Sequence, residues 1–448
     1  MKIKIIPTTE IAIFSRLPSS MATSNKVYKQ LNIMKVLGIT ALAILILMGV
    51  AGAAPFAYIT NYDSNNVSVI DTATNKVTTT VDVGYHPAGI AVIPDGTKAY
   101  VVNSYDDTVS IIDTTKNKVT ATVKVGTYPQ EIAVSPDGTK AYVTSFSNNS
   151  VSVIDTTTNK VTATVPVGNF PFGIAVSPDG KKVYVTNSGG DSTNFTGTVS
   201  VIDTATNTVV TTIPTGNNSL GVAVNPDGSK AYVMNSNIYR SYTATISVID
   251  TITNEVTDTV NIGSIPRGVA VSPDGKNVYL AIQFPDPDSL TGAVDVIDTA
   301  TNKVIARVPV GKAPCGIEVT PGGTKVYVAN YASYSVSVID TTTNTVIDTV
   351  TVGKYPTGVA IGPILDYETA DQSIKATSNS TEYTGVEETN ILSSEEKTAV
   401  ELNNSNSNNS DNGSNSSGNE SNKNNSTPGF GLLGNLICLY GGGKFWKK

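Results

Sequence analysis

The sequence predicts an all-β chain that folds as a seven-bladed β-propeller built from four-stranded antiparallel blades. Three observations predict this fold: a sequence unit that recurs seven times, four short β-branched stretches in each unit, and a repeat array whose two ends differ in phase by one strand. A parallel β-helix would need shorter repeats, and a two-sheet sandwich would not give seven near-identical units.

The repeat is marked most clearly by the aspartate that ends a Val-Ser-Val-Ile-Asp-Thr stretch. Its spacing is 42 residues or 47 to 48 residues, the length of a propeller blade. We assign these aspartates to turn capping and not to a metal or acid series, because a catalytic residue would not recur in every unit. The seven positions are Asp71, Asp113, Asp155, Asp203, Asp250, Asp298 and Asp340.

Each unit is predicted to contain four strands, a to d. In the fourth unit they are Gly173–Val176, Val183–Asn187, Val199–Asp203 and Val209–Ile213. Pro-Asp-Gly between strands a and b supplies a tight turn, and an Asp-Thr-Ala-Thr-Asn stretch supplies the turn between strands c and d.

The two ends of the repeat array predict how the ring closes. The first unit begins at strand b with Ala57, and the last unit ends at strand a, residues 358–361. This spare strand is predicted to complete the first blade by pairing with residues 57–61, which would remove an exposed sheet edge.

Unit length varies only between strands b and c. Each strand-b tyrosine lies 29 residues after the strand-c aspartate of the preceding unit. Within a unit, the strand-c aspartate lies 13 residues after the strand-b tyrosine in four units, and 18 or 19 residues after it in units four to six. The three extended loops, 187–198, 235–245 and 282–293, are predicted to form a wall on one side of the channel mouth. The candidate binding residues there and in the neighbouring turn are Asp191, Phe195, Tyr239, Arg240, Tyr242, Arg267, Phe284, Asp286 and Asp288.

The amino-terminal end predicts export. A basic start at Lys35, an apolar run over 36–50 and small residues before Ala54 indicate a signal peptide within residues 1–53, cleaved after Ala53. Met34 is a candidate true start, and an uncleaved membrane anchor is the alternative. The propeller is then expected over residues 54–363, outside the cell.

Residues 364–427 are acidic and then Asn/Ser-rich, which predicts a disordered stalk. Its Asn-X-Ser/Thr triplets predict glycosylation in an exported protein, although low-complexity drift would also create them. The glycosylation candidates, including those of the propeller, are Asn66, Asn148, Asn194, Asn217, Asn403, Asn408, Asn412, Asn415, Asn419 and Asn424.

Tyr-Val-Thr-Asn at 184–187, with the Val-Ser-Val-Ile-Asp-Thr and Ser-Pro-Asp-Gly stretches, resembles the YVTN-repeat β-propellers of archaeal, methanogen-like surface-layer-type proteins. The resemblance covers roughly residues 57–363 and implies a cell-surface propeller. Residues 428–448 contain Pro-Gly-Phe, an apolar segment and a basic end, similar to a PGF-type sorting signal. That resemblance implies anchoring through the carboxyl terminus. The apolar segment is shorter than the roughly 20 residues of a spanning helix, so an interfacial segment is the alternative.

Candidate chemistry in the repeats is sparse. His86 is the one histidine of the sequence and has no nucleophile motif beside it, so we interpret it as a turn-packing residue. The His and Cys clusters typical of zinc or copper sites are not found. No cofactor is therefore expected, although Ca²⁺ could bind at loops containing Asp63, Asp106–Asp107 or Asp286–Asp288.

Charge and site composition limit the function. The formal net charge of −7 and the lack of a basic face argue against nucleic acid as a partner. One class is a binding or structural module of the cell envelope that holds a protein or glycan, and the other is an extracellular propeller enzyme of lactonase, lyase or quinoprotein-dehydrogenase type. Glu131 and Glu318 are isolated acids among channel-facing glycines and alanines, which favours the binding module over an enzyme.

Overall fold

The computed structural model describes residues 55–189, 196–236, 244–262, 264–283 and 291–363. These residues form 28 β-strands in seven four-stranded antiparallel sheets, with two short 3-10 turns at Phe146–Asn148 and Tyr331–Ser333. The predicted fold class is confirmed. Within the described ranges there is no apolar helix of a length that could cross a membrane. The predicted signal peptide, stalk and sorting signal lie outside the described residues.

The strands of each blade, given from the innermost strand a to the outermost strand d, have the following bounds. Blade 1 contains β28 (Pro356–Ile361), β1 (Phe56–Asn61), β2 (Asn66–Asp71) and β3 (Lys76–Asp82). Blade 2 contains β4 (Pro87–Val92), β5 (Lys98–Asn103), β6 (Thr108–Asp113) and β7 (Lys118–Lys124). Blade 3 contains β8 (Pro129–Val134), β9 (Lys140–Ser145), β10 (Ser150–Asp155) and β11 (Lys160–Pro166).

The remaining blades follow the same order. Blade 4 contains β12 (Pro171–Val176), β13 (Lys182–Asn187), β14 (Thr196–Asp203) and β15 (Thr208–Asn217). Blade 5 contains β16 (Ser219–Val224), β17 (Lys230–Ser236), β18 (Ala244–Asp250) and β19 (Glu255–Asn261). Blade 6 contains β20 (Ile265–Val271), β21 (Asn277–Gln283), β22 (Thr291–Asp298) and β23 (Lys303–Lys312). Blade 7 contains β24 (Pro314–Val319), β25 (Lys325–Asn330), β26 (Ser335–Asp340) and β27 (Thr345–Thr351).

The ring closes as the sequence predicts. Strand β28 pairs antiparallel with β1, with Ala57 opposite Ile361 and Ile59 opposite Val359. The same strand β28 also contacts the inner strands of both neighbouring blades, β24 and β4. The last strand of the repeat array therefore completes the first blade and leaves no open sheet edge at this point.

A recurring contact ties each blade to the next. In blade 2 the buried Tyr100 donates its hydroxyl to Thr156 O (3.3 Å) and Asn159 Oδ1 (3.2 Å), both in the c–d turn of blade 3. Lys98 Nζ donates to the same Thr156 carbonyl at 2.7 Å. The turn carbonyl thus gains two donors, and the tyrosine ring fills the space between two blades. We call this contact of strand-b Tyr and Lys with the next c–d turn the interblade latch.

The latch also spans the closing junction. Tyr327 in blade 7 donates to Asn75 Oδ1 of blade 1 at 2.7 Å, and Lys325 Nζ donates to Thr72 O at 2.7 Å. The lysine half of the latch recurs at three further junctions, from Lys140 to Thr204, Lys182 to Thr251 and Lys230 to Thr299. Blades far apart in sequence are therefore joined by the same interaction as blades that follow each other.

The repeated aspartates shape the c–d turns, which confirms their predicted role. Asp155 Oδ1 accepts the backbone N–H groups of Thr157 (3.1 Å) and Thr158 (2.7 Å). These hydrogen bonds, led by the one from Thr158, lower the pKa of Asp155 below its ordinary value. Asp179 in the Pro-Asp-Gly turn of blade 4 likewise accepts from Ser177 Oγ at 2.6 Å, and its pKa is also lowered.

We expect Tyr327→Phe to lower the free energy of unfolding by about 1–2 kcal/mol, because it removes a buried hydroxyl and leaves its acceptor without that partner. Tyr100→Phe should cost a similar amount, since both tyrosines make the same contact. The measurement is urea denaturation of the mature chain, with Tyr85→Phe, whose ring is 59% exposed, as the control. If the closing junction is weaker than the others, Tyr100→Phe will lower the free energy of unfolding and Tyr327→Phe will leave it unchanged.

We also expect the melting temperature to fall as the pH drops below about 4. A carboxyl with a lowered folded pKa stabilises the fold above its unfolded pKa of about 3.9, and this contribution is lost as the folded pKa is approached. Asp155→Asn keeps the Oδ1 acceptor but cannot titrate, so it should reduce the pH dependence of the melting temperature. An unchanged pH dependence in this variant would show that the turn carboxylate is not the source.

Candidate functional site

The b–c and d–a loops meet on one face of the ring, around the channel mouth. There the residue before strand a pairs with the residue after strand b of the same blade. Tyr62 N donates to Tyr355 O at 3.0 Å in blade 1, and Phe146 N donates to Tyr128 O at 3.2 Å in blade 3. This pairing extends the two inner strands and fixes both residues at the mouth.

Aromatic side chains occupy these paired positions over one part of the mouth. From Tyr62 in blade 1 to Phe170 in blade 4, successive ring centroids lie 4.2 to 6.1 Å apart. A second group surrounds Tyr355, which lies 4.7 Å from Tyr331 and 5.0 Å from Tyr334. We call the whole set the aromatic collar. Its members are Tyr62, Tyr85, His86, Tyr105, Tyr128, Phe146, Phe170, Tyr331, Tyr334 and Tyr355.

The collar residues of the d–a loops adopt an unusual backbone conformation. His86, Tyr128 and Phe170 have φ angles of 53° to 55°, in the left-handed region that bulky side chains rarely occupy. Each is held there by a side-chain acceptor; for example, His86 N donates to Asn65 Oδ1 at 3.0 Å. The following proline begins strand a, so the aromatic side chain is set by constrained residues on both sides.

His86 lies within the collar. Its ring centroid is 4.2 Å from that of Tyr62, 4.5 Å from Tyr105 and 5.6 Å from Tyr85. Its Nδ1 is buried and has no hydrogen-bond partner among the described residues. The predicted place of His86 in a packed turn is confirmed, and the structure adds a buried nitrogen that the sequence did not reveal.

Charges surround the collar on the same loops. Asp63 follows Tyr62, Asp106 follows Tyr105, and the exposed Lys354 precedes Tyr355. The pKa of Tyr355 is raised, chiefly by its hydrogen bond with Tyr334. The collar therefore offers flat aromatic surface, one imidazole and a mixed-charge rim.

The inner strands pack closely below the mouth, which explains the recurring glycine of strand a. A Cβ atom on Gly89 would lie 2.7 Å from Gln130 O and 2.8 Å from the Cα atom of Glu131 in the next blade. Gly173 and Gly268 approach the backbone carbonyls of Leu220 and Cys315 in the same way. The glycines are thus required by the approach of neighbouring blades.

Two acids depart from this pattern, as the sequence indicated. Glu131 replaces a glycine, and its backbone N–H donates to Thr144 Oγ1 at 3.1 Å. Glu318 is half-buried on β24, where the sister strands have alanine, and its Oε1 accepts from Val319 N at 3.1 Å. Burial raises the pKa of Glu318 to about 7. A carboxyl with this pKa can both give and take a proton near neutral pH.

Arg267 is the one predicted wall residue that the structure describes. It is half-buried at the start of β20, and its Nε donates to Gln283 Oε1 at 3.1 Å. The extended loops do connect strands b and c of blades 4 to 6, as predicted, whereas the wall that they are predicted to form lies outside the described residues. The other predicted wall residues lie outside the described residues: Asp191, Phe195, Tyr239, Arg240, Tyr242, Phe284, Asp286 and Asp288.

The carboxylates considered for Ca²⁺ act in loop structure. Asp106 Oδ2 accepts from Tyr85 N at 2.6 Å, and Asp107 Oδ1 accepts from Tyr128 N at 2.8 Å. In the part of the chain that the structure describes, no group of three or more His, Cys, Asp or Glu side chains could hold a metal ion. Asp286 and Asp288 lie outside that part.

The glycosylation candidates of the propeller differ in access. Asn148 and Asn217 are exposed, whereas the half-buried Asn66 accepts a hydrogen bond from Asn61 Nδ2 at 2.9 Å through its Oδ1. Asn194 and the candidates in the stalk lie outside the described residues.

Comparisons with known proteins support a β-propeller. A family model described as the cytochrome D1 heme domain matches residues 52–173, which is less than half of the chain. Hydrazine synthase of Kuenenia stuttgartiensis is 27% identical, with a TM-score of 0.57, and the match covers 61% of this chain and 89% of that one. No curated protein sequence matches the chain.

Two further solved structures share the fold at lower identity. A candidate 6-phosphogluconolactonase of Bacteroides uniformis is 16% identical, with a TM-score of 0.56, covering 69% of this chain and 99% of that one. The dihydro-heme d1 dehydrogenase NirN, in complex with its ligand DHE, is 16% identical with a TM-score of 0.50, covering 68% of this chain and 75% of that one.

These findings contradict two expectations from the sequence. The chain was expected not to be an enzyme and to take no cofactor, yet the family match is to a heme domain and the similar structures include enzymes. Both expectations rested on the lack of His and Cys clusters in the sequence. A cofactor that carries its own metal in a macrocycle needs as little as one axial side chain from the protein.

The aromatic collar was also missed. Aromatic residues before the strand-a proline are visible in the sequence, at Tyr128, Phe170 and Tyr355. Those after strand b, such as Tyr62 and Phe146, are visible too. Only the pairing of the two loops in three dimensions shows that they form one surface.

We expect Glu318→Ala to raise the melting temperature at pH 8 relative to the wild type and to leave it nearly unchanged at pH 4. Because the folded pKa is raised, the glutamate costs no folding energy below its ordinary pKa and destabilises the fold progressively as the pH rises to about 7. Alanine is tolerated at this position in the sister blades. Glu255→Ala, an exposed glutamate, is the control. A shift of equal size at both pH values would contradict the raised pKa.

Proposed function

We propose that this chain is an exported propeller enzyme that binds a planar cofactor of the heme class against the aromatic collar. The observation that carries the proposal is His86, an imidazole set among aromatic rings whose buried Nδ1 has no hydrogen-bond partner in the part of the chain that the structure describes. Seven of the collar's ten members, His86 among them, fall within residues 52–173, the segment that matches the cytochrome D1 heme domain.

The residues present fit such a group in two respects. His86 would hold the iron of such a group through its imidazole. The neighbouring tyrosine and phenylalanine rings supply flat apolar surface for stacking on a macrocycle. The rim charges limit the orientation, because Asp63 and Asp106 would repel the carboxylates of a macrocycle and Lys354 would attract them.

A group of this class supplies redox chemistry when it is bound. The chain's own residues hold and orient it. His86 is anchored by two backbone contacts, from its N–H to Asn65 Oδ1 (3.0 Å) and from Ser104 N to its carbonyl oxygen (3.1 Å). Tyr62 and Tyr105 restrict rotation of the imidazole from either side. The extended loops of blades 4 to 6 connect strands b and c on this same face. We propose that these loops border the substrate-binding site.

Acid–base catalysis in the channel is a second candidate function, consistent with the lactonase-type alternative. The observation that favours it is Glu318, whose pKa of about 7 suits proton transfer at neutral pH. In this alternative Glu318 is the proton-transfer residue and the collar binds the substrate.

The location of the protein is part of the proposal. The signal-like segment of residues 34–53 and the acidic, Asn-rich stalk support export and attachment at the cell surface through the carboxyl terminus. A cell-envelope protein or glycan is the partner that we propose for this setting.

We expect the mature chain to bind heme b or heme d1 with one-to-one stoichiometry, seen as a shifted Soret absorption band in a titration. His86→Phe should abolish the shift, since it removes the imidazole that would hold the iron and places at this position the residue that blade 4 has in Phe170. Tyr128→Phe is the matched control and should bind as the wild type does. The proposal fails if neither macrocycle binds, or if His86→Phe binds with unchanged affinity and spectrum.

A further inference from the structure

A groove separates the outer strands of blades 1 and 2 beside the collar. Its volume is about 420 Å³, within the roughly 300–1,000 Å³ of small-molecule sites. Blade 1 contributes Asp82, Val83 and Gly84, and blade 2 contributes residues from strands β5 to β7 and the b–c loop. The blade 2 residues are Asn103, Asp106, Thr108, Ser110, Val119 and Thr122.

The polar groups of the groove offer both acceptors and donors. Asn103 Nδ2 donates to Thr108 Oγ1 at 3.0 Å and to Ser110 Oγ at 2.9 Å. Both hydroxyl oxygens are thus used as acceptors, so their own protons can be donated elsewhere. Asp82 and Asp106 add carboxylate acceptors on the same surface.

Two exposed tyrosines adjoin the lining residues of the groove in sequence, and their rings lie 5.6 and 4.5 Å from that of His86 in the collar. Tyr85 follows Gly84 and is 59% exposed, and Tyr105 precedes Asp106 and is 47% exposed. Val119 is 36% exposed at the groove, where it adds apolar surface. Exposed aromatic rings beside carboxylates and hydroxyls match a ligand with hydroxyl groups on its edges and C–H groups on its faces.

The carboxylate pair distinguishes this groove from its sisters. At the positions of Asp82 and Asp106, the junction of blades 2 and 3 has Lys124 and Asn148, and the junction of blades 7 and 1 has Thr351 and Ser64. Asn148 and Ser64 still accept the backbone N–H of the neighbouring d–a loop, as Asp106 does. The acidic character of Asp106 is therefore not needed for the loop contact.

We infer that the groove between blades 1 and 2 binds a neutral saccharide, with Asp82 and Asp106 accepting from its hydroxyl groups and Tyr85 and Tyr105 contacting its ring. Carboxylates accept hydrogen bonds from sugar hydroxyls, and the hydroxyls of Thr108 and Ser110 can donate to sugar oxygens. The proposed saccharide site shares Tyr85 and Tyr105 with the collar, but its hydrogen-bonding groups, Asp82, Asp106, Thr108 and Ser110, do not include His86.

The test is a titration of the full mature chain with the methyl glycosides of glucose, galactose, mannose and N-acetylglucosamine, followed by calorimetry or saturation-transfer NMR. At least one should bind in the millimolar range or tighter. Asp82→Thr and Asp106→Asn should each weaken binding at least tenfold with an unchanged melting temperature, since sister blades already have these residues. Lys124→Thr at the next junction is the matched control and should bind as the wild type does.

Three results would overturn the inference: no binding of any of the four glycosides, binding that is unchanged in both aspartate variants, or Ca²⁺ binding that both variants abolish in a chain that binds no glycoside. His86→Phe, which keeps an aromatic ring beside Tyr85 and Tyr105, should leave glycoside binding intact. Retained glycoside binding in that variant, together with loss of the heme spectrum, would separate this groove from the proposed cofactor site.

Discussion

The interblade latch is the interaction on which the rest of the structure depends. Each strand-b tyrosine is buried between two blades, and burial raises the pKa of Tyr100 and Tyr184 to about 12. The hydroxyl of Tyr100 and the ammonium of Lys98 both reach the c–d turn of the next blade. The latch joins a strand-b tyrosine to a c–d turn, and the sequence holds the distance from each c–d aspartate to the next tyrosine constant. The segment from the c–d aspartate to the next strand-b tyrosine therefore has the same length in every unit, because a change in its length would disturb the latch and the turn that the latch binds.

The latch and the turns occupy one face and the outer edge of the ring. Variation among the units in loop length and residue type is therefore confined to the other face. There the d–a residues can be aromatic or polar without altering the ladder: Phe170 and Asn218 both have a positive φ angle and the same backbone contact to the residue after strand b. The aromatic collar follows from this freedom. Its members are held by a regular backbone, so a planar ligand would meet a surface that is already ordered before binding.

The sequence predicted the fold, the closing strand, the turn role of the aspartates and the place of the long loops, since each follows from local residue patterns and their period. It could not predict the collar, because Tyr62 and His86 meet only through the pairing of two loops and two blades. The state of Glu318 was also beyond its reach, as its raised pKa arises from burial and not from a charged neighbour. His86 was interpreted correctly as a packed residue, but its buried nitrogen depends on contacts that periodicity does not report.

Native-state hydrogen exchange measures whether the repeated latch makes the ring a single cooperative unit. The amides of strand b in blades 1 and 7, around Ile59 and Val328, are compared with those in blade 4, around Val185. We expect the same opening free energy at all three places, equal to that of global unfolding, because Lys325 makes the same contact across the closing junction as Lys182 makes from blade 4 to blade 5. Faster exchange in blades 1 and 7 at a lower free energy would contradict it and show a ring that opens at its closing strand.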